Sequence, residues 1–363
     1  MVEPGKNGLP PIPGSEENRT PGQLPIQNEP SVQEGPGLPP QMPSEEAGPA
    51  GLKKTISGAV GSVWIYFGLQ IVAAILVTSF VSLVLFSLFG YDAYFNFPGW
   101  AEAFVLLITT VISGVLTFLF ARKRLGLEQT PRAWKNTNFK ASDVFYGICS
   151  CWTLSLLFGL VVILFETIAS FFGGGVSQPD LNLNAGLAQN LINLVTTVIL
   201  APLLEELIFR GCILESLKKY STSFAIVFSS LLFAMLHMNL AQSIPVFGMG
   251  LVFGWMYVRT GSLPMTIVLH LINNAVSMFS TLLPYPLAFM VEILLIVLAV
   301  VGLVFMVREK RNIRTIVFEK YQTGICWKMT SQSIGFWIFV IVAALACLLP
   351  VFSYTAYQLL MFN

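Results

Sequence analysis

Charge is scarce in this chain and histidine scarcer: 11% of the 363 residues are Asp, Glu, Lys or Arg, and only two are His. With a formal net charge of +1 the chain lacks the basic surplus that phosphate neutralisation requires, so nucleic acid is excluded as a partner. The five cysteines, Cys149, Cys151, Cys212, Cys326 and Cys347, are odd in number, scattered, and free of any C-x-x-C pairing. They form neither a disulfide framework nor a thiolate metal site, and read as small apolar packing residues. The period-two alternation of an outer-membrane barrel is missing. So is the basic start and apolar core of a cleaved signal peptide, so the first membrane helix is expected to be retained.

Apolar sequence is what the chain has in abundance, at 55% of residues. A run of roughly 20 apolar residues crosses the hydrocarbon core as a helix, because lipid cannot satisfy the polar groups of irregular backbone. Candidate spans fall at 60–89, 102–121, 144–168, 189–204 with a polar extension to 218, 222–238, 242–258, 263–282, 286–307 and 333–352. The fold class is therefore all-α, a polytopic bundle of eight or nine transmembrane helices.

Residues 1–54 are a different material, with twelve of the 21 prolines and seven glutamates but almost no large apolar side chains. Such a segment cannot bury enough surface to offset its ordering entropy, and reads as a disordered tail. The remaining organisation is 55–186 as N-terminal membrane helices, 187–282 as the polar core and 283–363 as C-terminal helices. Lys53 and Lys54 precede the first span. Arg122, Lys123, Arg124, Arg132, Lys135 and Lys140 lie between the second and third, and Lys218, Lys219, Arg259, Arg308, Lys310, Arg311 and Arg314 follow later crossings. The intervening connections carry neither Lys nor Arg, so the positive-inside rule sets the tail and basic loops in the cytoplasm, with the cell membrane as the expected location.

Polar residues concentrate in three places within 187–282: Glu205-Glu206-Leu-Ile-Phe-Arg210, then Phe233-Ala-Met-Leu-His237, then His270-Leu-Ile-Asn-Asn274. Ionisable groups at membrane depth are costly enough to be functional by default. At 1.5 Å per residue, Glu205 and His237 lie about 20 Å from the basic end of their helices, and His270 and Asn274 about 12 to 17 Å. Three helices can thus deliver one site inside the membrane, reached from the cytoplasmic side.

Glu206 and Arg210, at i and i+4, share a helix face and can pair, an arrangement that is also simply structural; Glu205 is rotated about 100° away and left free for chemistry. His270 and Asn274 likewise project together. A carboxylate beside an imidazole can take a proton from water, and a second imidazole or an amide can donate to the oxyanion formed on a carbonyl. These residue types suit amide hydrolysis. Gly248, Gly250 and Gly254 read as close helix packing, and Glu166 and Glu292, near span ends, receive no chemistry.

In order and spacing the three motifs resemble the signature of the CPBP family of intramembrane proteases, which includes type II CAAX prenyl endopeptidases and bacteriocin-processing and immunity proteins. The resemblance implies that Glu205 activates water with His270 beside it, that His237 and Asn274 stabilise the oxyanion, and that Glu206 and Arg210 tune the carboxylate. The family includes enzymes described as metalloproteases, and Glu205, His237 and His270 also match a two-His, one-carboxylate zinc site, although no HExxH helix is present. The expected partners are the lipid bilayer and a membrane-associated or prenylated peptide. A non-catalytic scaffold or bacteriocin self-immunity protein using the same cavity is the alternative, and a transporter a third reading that the lack of a second polar cluster counts against.

Overall fold

The structure is a computed structural model describing residues 48–91, 98–127, 131–171, 174–176, 186–310, 313 and 320–361. Most of the segment read as a tail, with Arg311 and Arg314, lies outside the described residues. Among the described residues the chain is helical throughout, with no strand, and it is an integral membrane protein. The helices are α1 (Pro49–Phe89), α2 (Gly99–Arg124), the short α3 (Arg132–Lys135), α4 (Ala141–Ser170), α5 (Leu187–Leu217), α6 (Thr222–Leu236), α7 (Leu240–Thr260), α8 (Leu263–Leu282), α9 (Tyr285–Arg308), α10 (Lys320–Ser331) and α11 (Ile334–Met361).

Two boundaries differ from the sequence reading. Helix α1 starts at Pro49, a residue whose missing N–H costs nothing in the first turn, so Pro49–Lys54 are helical rather than tail. At 41 residues α1 is about 60 Å long, twice the hydrocarbon thickness. Its first turns bury Leu52, Ile56, Val60 and Val63 in the main core. Helix α6 has 15 residues and reaches only about 22 Å, so eight described helices are long enough to span and α6 is a shorter ninth. Ten of its residues are buried, so it is jacketed by protein and need not match the bilayer. Helix α9, by contrast, buries only Ala299 and Gly302 and turns its apolar surface outward to lipid.

Side-chain contacts gather the basic helix ends at one end of the bundle. Arg259, closing α7, lies 3.8 Å from both Asp143 of α4 and Glu309 after α9. Lys218 stands over the Tyr257 ring, whose hydroxyl donates to Glu215 at 2.6 Å. Trp134 of α3 donates to the Gly211 carbonyl, and Asn136 to the carbonyls of Thr260 and Gly261. Helices α6 and α7 form an antiparallel hairpin running away from this end and back. Close approach rests on glycine: a Cβ on Gly250 would sit 3.0 Å from Cβ of Ser230, and one on Gly248 2.8 Å from the Leu154 carbonyl oxygen.

Candidate active site

Helix α5, which carries both glutamates, is not a uniform α-helix. Leu194–Leu200 and Leu207–Leu214 are π-helical, and the α-helical Ala201–Glu206 lies between them. Such wide turns are rare and occur mostly at functional sites. Pro202 supplies a local cause for the first, since a proline ring collides with the carbonyl four residues back and cannot continue the ladder.

Glu206 is the hub of a buried network. Its Oε1 accepts from Arg210 Nη1 at 2.8 Å, and both residues are fully buried. Arg210 Nη2 donates to the Gly250 carbonyl at 3.0 Å, and its guanidinium lies over the rings of Phe233 and Phe253 at 4.7 and 5.2 Å. The pair lies behind the cavity wall rather than on it. His270 Nδ1 meets the same Glu206 oxygen at 3.0 Å. Because a paired carboxylate can only accept, the imidazole donates there and, when neutral, leaves its Nε2 lone pair free.

That Nε2 faces Glu205, whose Oε2 is 3.7 Å away. Glu205, His237, His270, Asn273 and Asn274 all line one cavity of about 440 Å³, with Phe233 and Phe253 among its walls. His237, at the α6–α7 turn, is followed by Met238 at φ 49, an uncommon conformation for a side-chain-bearing residue, and by Asn239, whose Oδ1 caps α7. His237 Nδ1 donates to the Phe233 carbonyl at 3.0 Å, so its Nε2 too is an acceptor while the ring is neutral. This alters the expected role: neutral His237 cannot donate to an oxyanion until it gains a second proton. Asn274 remains a donor, its Nδ2 bonded to the Thr197 carbonyl at 2.9 Å and its Oδ1 accepting from Asn273 Nδ2 at 3.2 Å.

The i, i+4 spacing singles out His270 and Asn274 but not Asn273, which the Asn273-Asn274 doublet brings to the same cavity. The lining runs from Phe253 and His270 to Ala241, Thr197 and Thr281, whose helix ends lie opposite Lys218 and Arg259. Toward the basic end the bundle is closed by Leu214, Met256, Tyr257, Leu263 and Met265, all buried to 2% or less. Depth arithmetic locates a residue along its helix but says nothing about which end of a bundle is packed. A neighbouring cavity of about 450 Å³ between α4, α7 and α9 shares Ser155, Ala241 and Pro245 with this one and contains Glu166 and Glu292.

The zinc alternative requires three protein donors around one point. Among the described residues no group of three or more His, Cys, Asp and Glu side chains is placed to hold a metal ion. The residues as arranged do not fit a zinc site.

Fold and site together define a class: an all-helical membrane protein with a half-buried acid, two imidazoles and an amide around one intramembrane cavity. Residues 187–276 match the family model described as "Type II CAAX prenyl endopeptidase Rce1-like". A stretch of 130 residues is 32% identical to the "Membrane-embedded CAAX protease MroQ" of Staphylococcus aureus (strain USA300), covering 33% of this chain and 51% of that protein. The chain thus spans about half the length of this curated relative. No solved structure matches. Residues 187–276, which carry all three polar motifs, are therefore similar to this endopeptidase family over about a quarter of the chain.

Proposed function

We propose that the protein is an intramembrane endopeptidase that hydrolyses a peptide bond near the end of a membrane-associated, lipid-modified peptide. The observation that carries this reading is the shared cavity, into which Glu205, His237, His270 and Asn274 face while the Glu206–Arg210 pair stays behind them. Glu205 takes a proton from a water whose oxygen attacks the scissile carbonyl carbon. His270, with Nδ1–H tied to Glu206, turns its Nε2 toward Glu205 and shares that proton. Asn274 donates its remaining N–H to the oxyanion. The proton shared by Glu205 and His270 passes to the leaving nitrogen as the C–N bond breaks and the oxyanion collapses to the carboxyl group, while His237, accepting at Nε2, receives the N–H of the departing amine.

The lipid-facing surface and the similarity to CAAX proteases support a substrate held in the bilayer, arriving by the non-basic end or from the side. The asymmetry of Lys and Arg supports a cytoplasmic basic end in a cell membrane. The test is cleavage of a panel of prenylated and unmodified peptides by reconstituted protein, with and without a chelator. Glu205→Ala and His270→Ala, each folded, are expected to abolish turnover. Retained cleavage in both refutes the assignment, and folded alanine variants that keep their cellular effect would make the cavity a binding site instead.

A further inference from the structure

The Thr197 carbonyl is the point at which α5 touches the amide of Asn274. In the π-helical turn before it, Ala201 N–H donates to the Thr196 carbonyl, five residues back. The next donor in that series is residue 202, and its acceptor is the Thr197 carbonyl. Residue 202 is proline and has no N–H to give. The orphaned carbonyl is filled from outside the helix by Asn274 Nδ2 at 2.9 Å. The Thr197 hydroxyl is occupied elsewhere, donating to the Asn193 carbonyl at 2.7 Å.

The consequence for Asn274 follows from its donor inventory. A carboxamide has two N–H donors and one oxygen. One donor is committed to Thr197, and the oxygen accepts from Asn273 Nδ2 at 3.2 Å. Both contacts require the same amide orientation, so a flipped side chain would lose both. What remains is a single N–H on a residue that lines the cavity. We propose that Pro202 is a positioning residue for Asn274: by withholding one backbone donor it reserves the Thr197 carbonyl as the anchor that fixes the Asn274 amide. Replacing it with alanine both restores an N–H and removes the ring collision, so the turn can relax to i→i−4 bonding and satisfy Thr197 along its own helix. The inference rests on the endopeptidase reading for its kinetic consequence, but not for its structural one.

The experiment therefore has two arms on full-length protein in nanodiscs. In the first, a fluorogenic farnesylated peptide and its unmodified counterpart are cleaved by wild type, Pro202→Ala, Asn274→Ala and the double variant. Pro202→Ala is expected to lower kcat about 10- to 100-fold with KM unchanged, and the double variant to match Asn274→Ala alone. Replacing Pro202 by lactate, an ester that lacks the N–H as proline does, is expected to restore kcat. In the second arm, the ¹⁵N side-chain amide of Asn274, assigned by its loss in Asn274→Ala, is expected to exchange slowly in wild type and fast in Pro202→Ala. Wild-type kcat in Pro202→Ala, multiplying losses in the double variant, an ester no better than alanine, or unchanged exchange would each overturn the proposal. If wild type cleaves neither peptide, the endopeptidase reading fails while the exchange arm still decides the role of Pro202.

Discussion

His270 stands between two carboxylates, with Nδ1 bonded to Glu206 at 3.0 Å and Nε2 facing Glu205 at 3.7 Å. The first carboxylate is committed to Arg210, and the second is open to the cavity. In the proposed mechanism one proton is shared between Glu205 and His270, which makes the two a functional unit. Groups that act as a unit lose their function together rather than additively. Glu205→Gln and His270→Ala are each expected to lower kcat by about 10²- to 10⁴-fold, and the double variant to be no worse than either. Single-turnover cleavage of a fluorogenic peptide measures all three, and multiplying losses would separate the two residues.

Both imidazoles are predicted to carry their proton on Nδ1 when neutral. Their partners are a backbone carbonyl for His237 and an Arg-paired carboxylate for His270, neither of which can donate. With two histidines in the chain, ¹⁵N-histidine NMR gives an uncrowded spectrum. Each ring should show a protonated Nδ1 and an unprotonated Nε2. An Nε2–H signal from His237 would return it to the role of oxyanion donor.

Arg210 is buried without access to solvent, and its partners are Glu206, the Gly250 carbonyl and two aromatic faces. Arg210→Met leaves the Glu206 carboxylate uncompensated and should destabilise the protein by about 3 to 5 kcal/mol. Glu206→Leu combined with Arg210→Met removes both charges and should recover much of that loss while releasing His270 and depressing kcat. Unfolding in mixed micelles reads the first effect and peptide cleavage the second. A double variant less stable than Arg210→Met would show that the pair itself holds α5 to α7.

The apolar runs and the spacings of Glu205, Glu206, Arg210, His237, His270 and Asn274 were legible because membrane burial leaves polar residues conspicuous. The i, i+4 rule anticipated the Glu206–Arg210 contact even though Leu207–Leu214 is π-helical. What stayed hidden depends on bonding rather than on composition. Pro202 falls in the middle of the 189–218 run, where a proline announces a break in the helix ladder, but nothing in its neighbours announces that Thr197 loses its partner. The length of α6 was hidden for a similar reason: the apolar run continues to Met238, but the helix stops at Leu236, where the chain turns through Met238 at positive φ. The closed basic end follows from aromatic and aliphatic packing around Tyr257, which periodicity does not encode.

Glycine substitutions test how the α6–α7 hairpin is held against the bundle. A methyl group on Gly248 would meet the Leu154 carbonyl oxygen at 2.8 Å, and backbone cannot swing aside as a flexible side chain can. One on Gly250 would meet Ser230 at 3.0 Å and push away the carbonyl that receives Arg210. Gly68, in α1, has no atom within 4 Å of the added carbon. Gly248→Ala and Gly250→Ala are expected to destabilise by about 1 to 3 kcal/mol, the cost of overpacking. Gly68→Ala should be neutral or stabilising by up to about 1 kcal/mol, since alanine loses less backbone freedom in a helix. Gly250→Ala alone should also lower kcat, because moving its carbonyl loosens Arg210, then Glu206, then the Nδ1 bond that orients His270. Thermal unfolding with parallel cleavage assays separates these outcomes. A Gly250→Ala variant with lower stability and unchanged kcat would break the chain of contacts between the hairpin and His270.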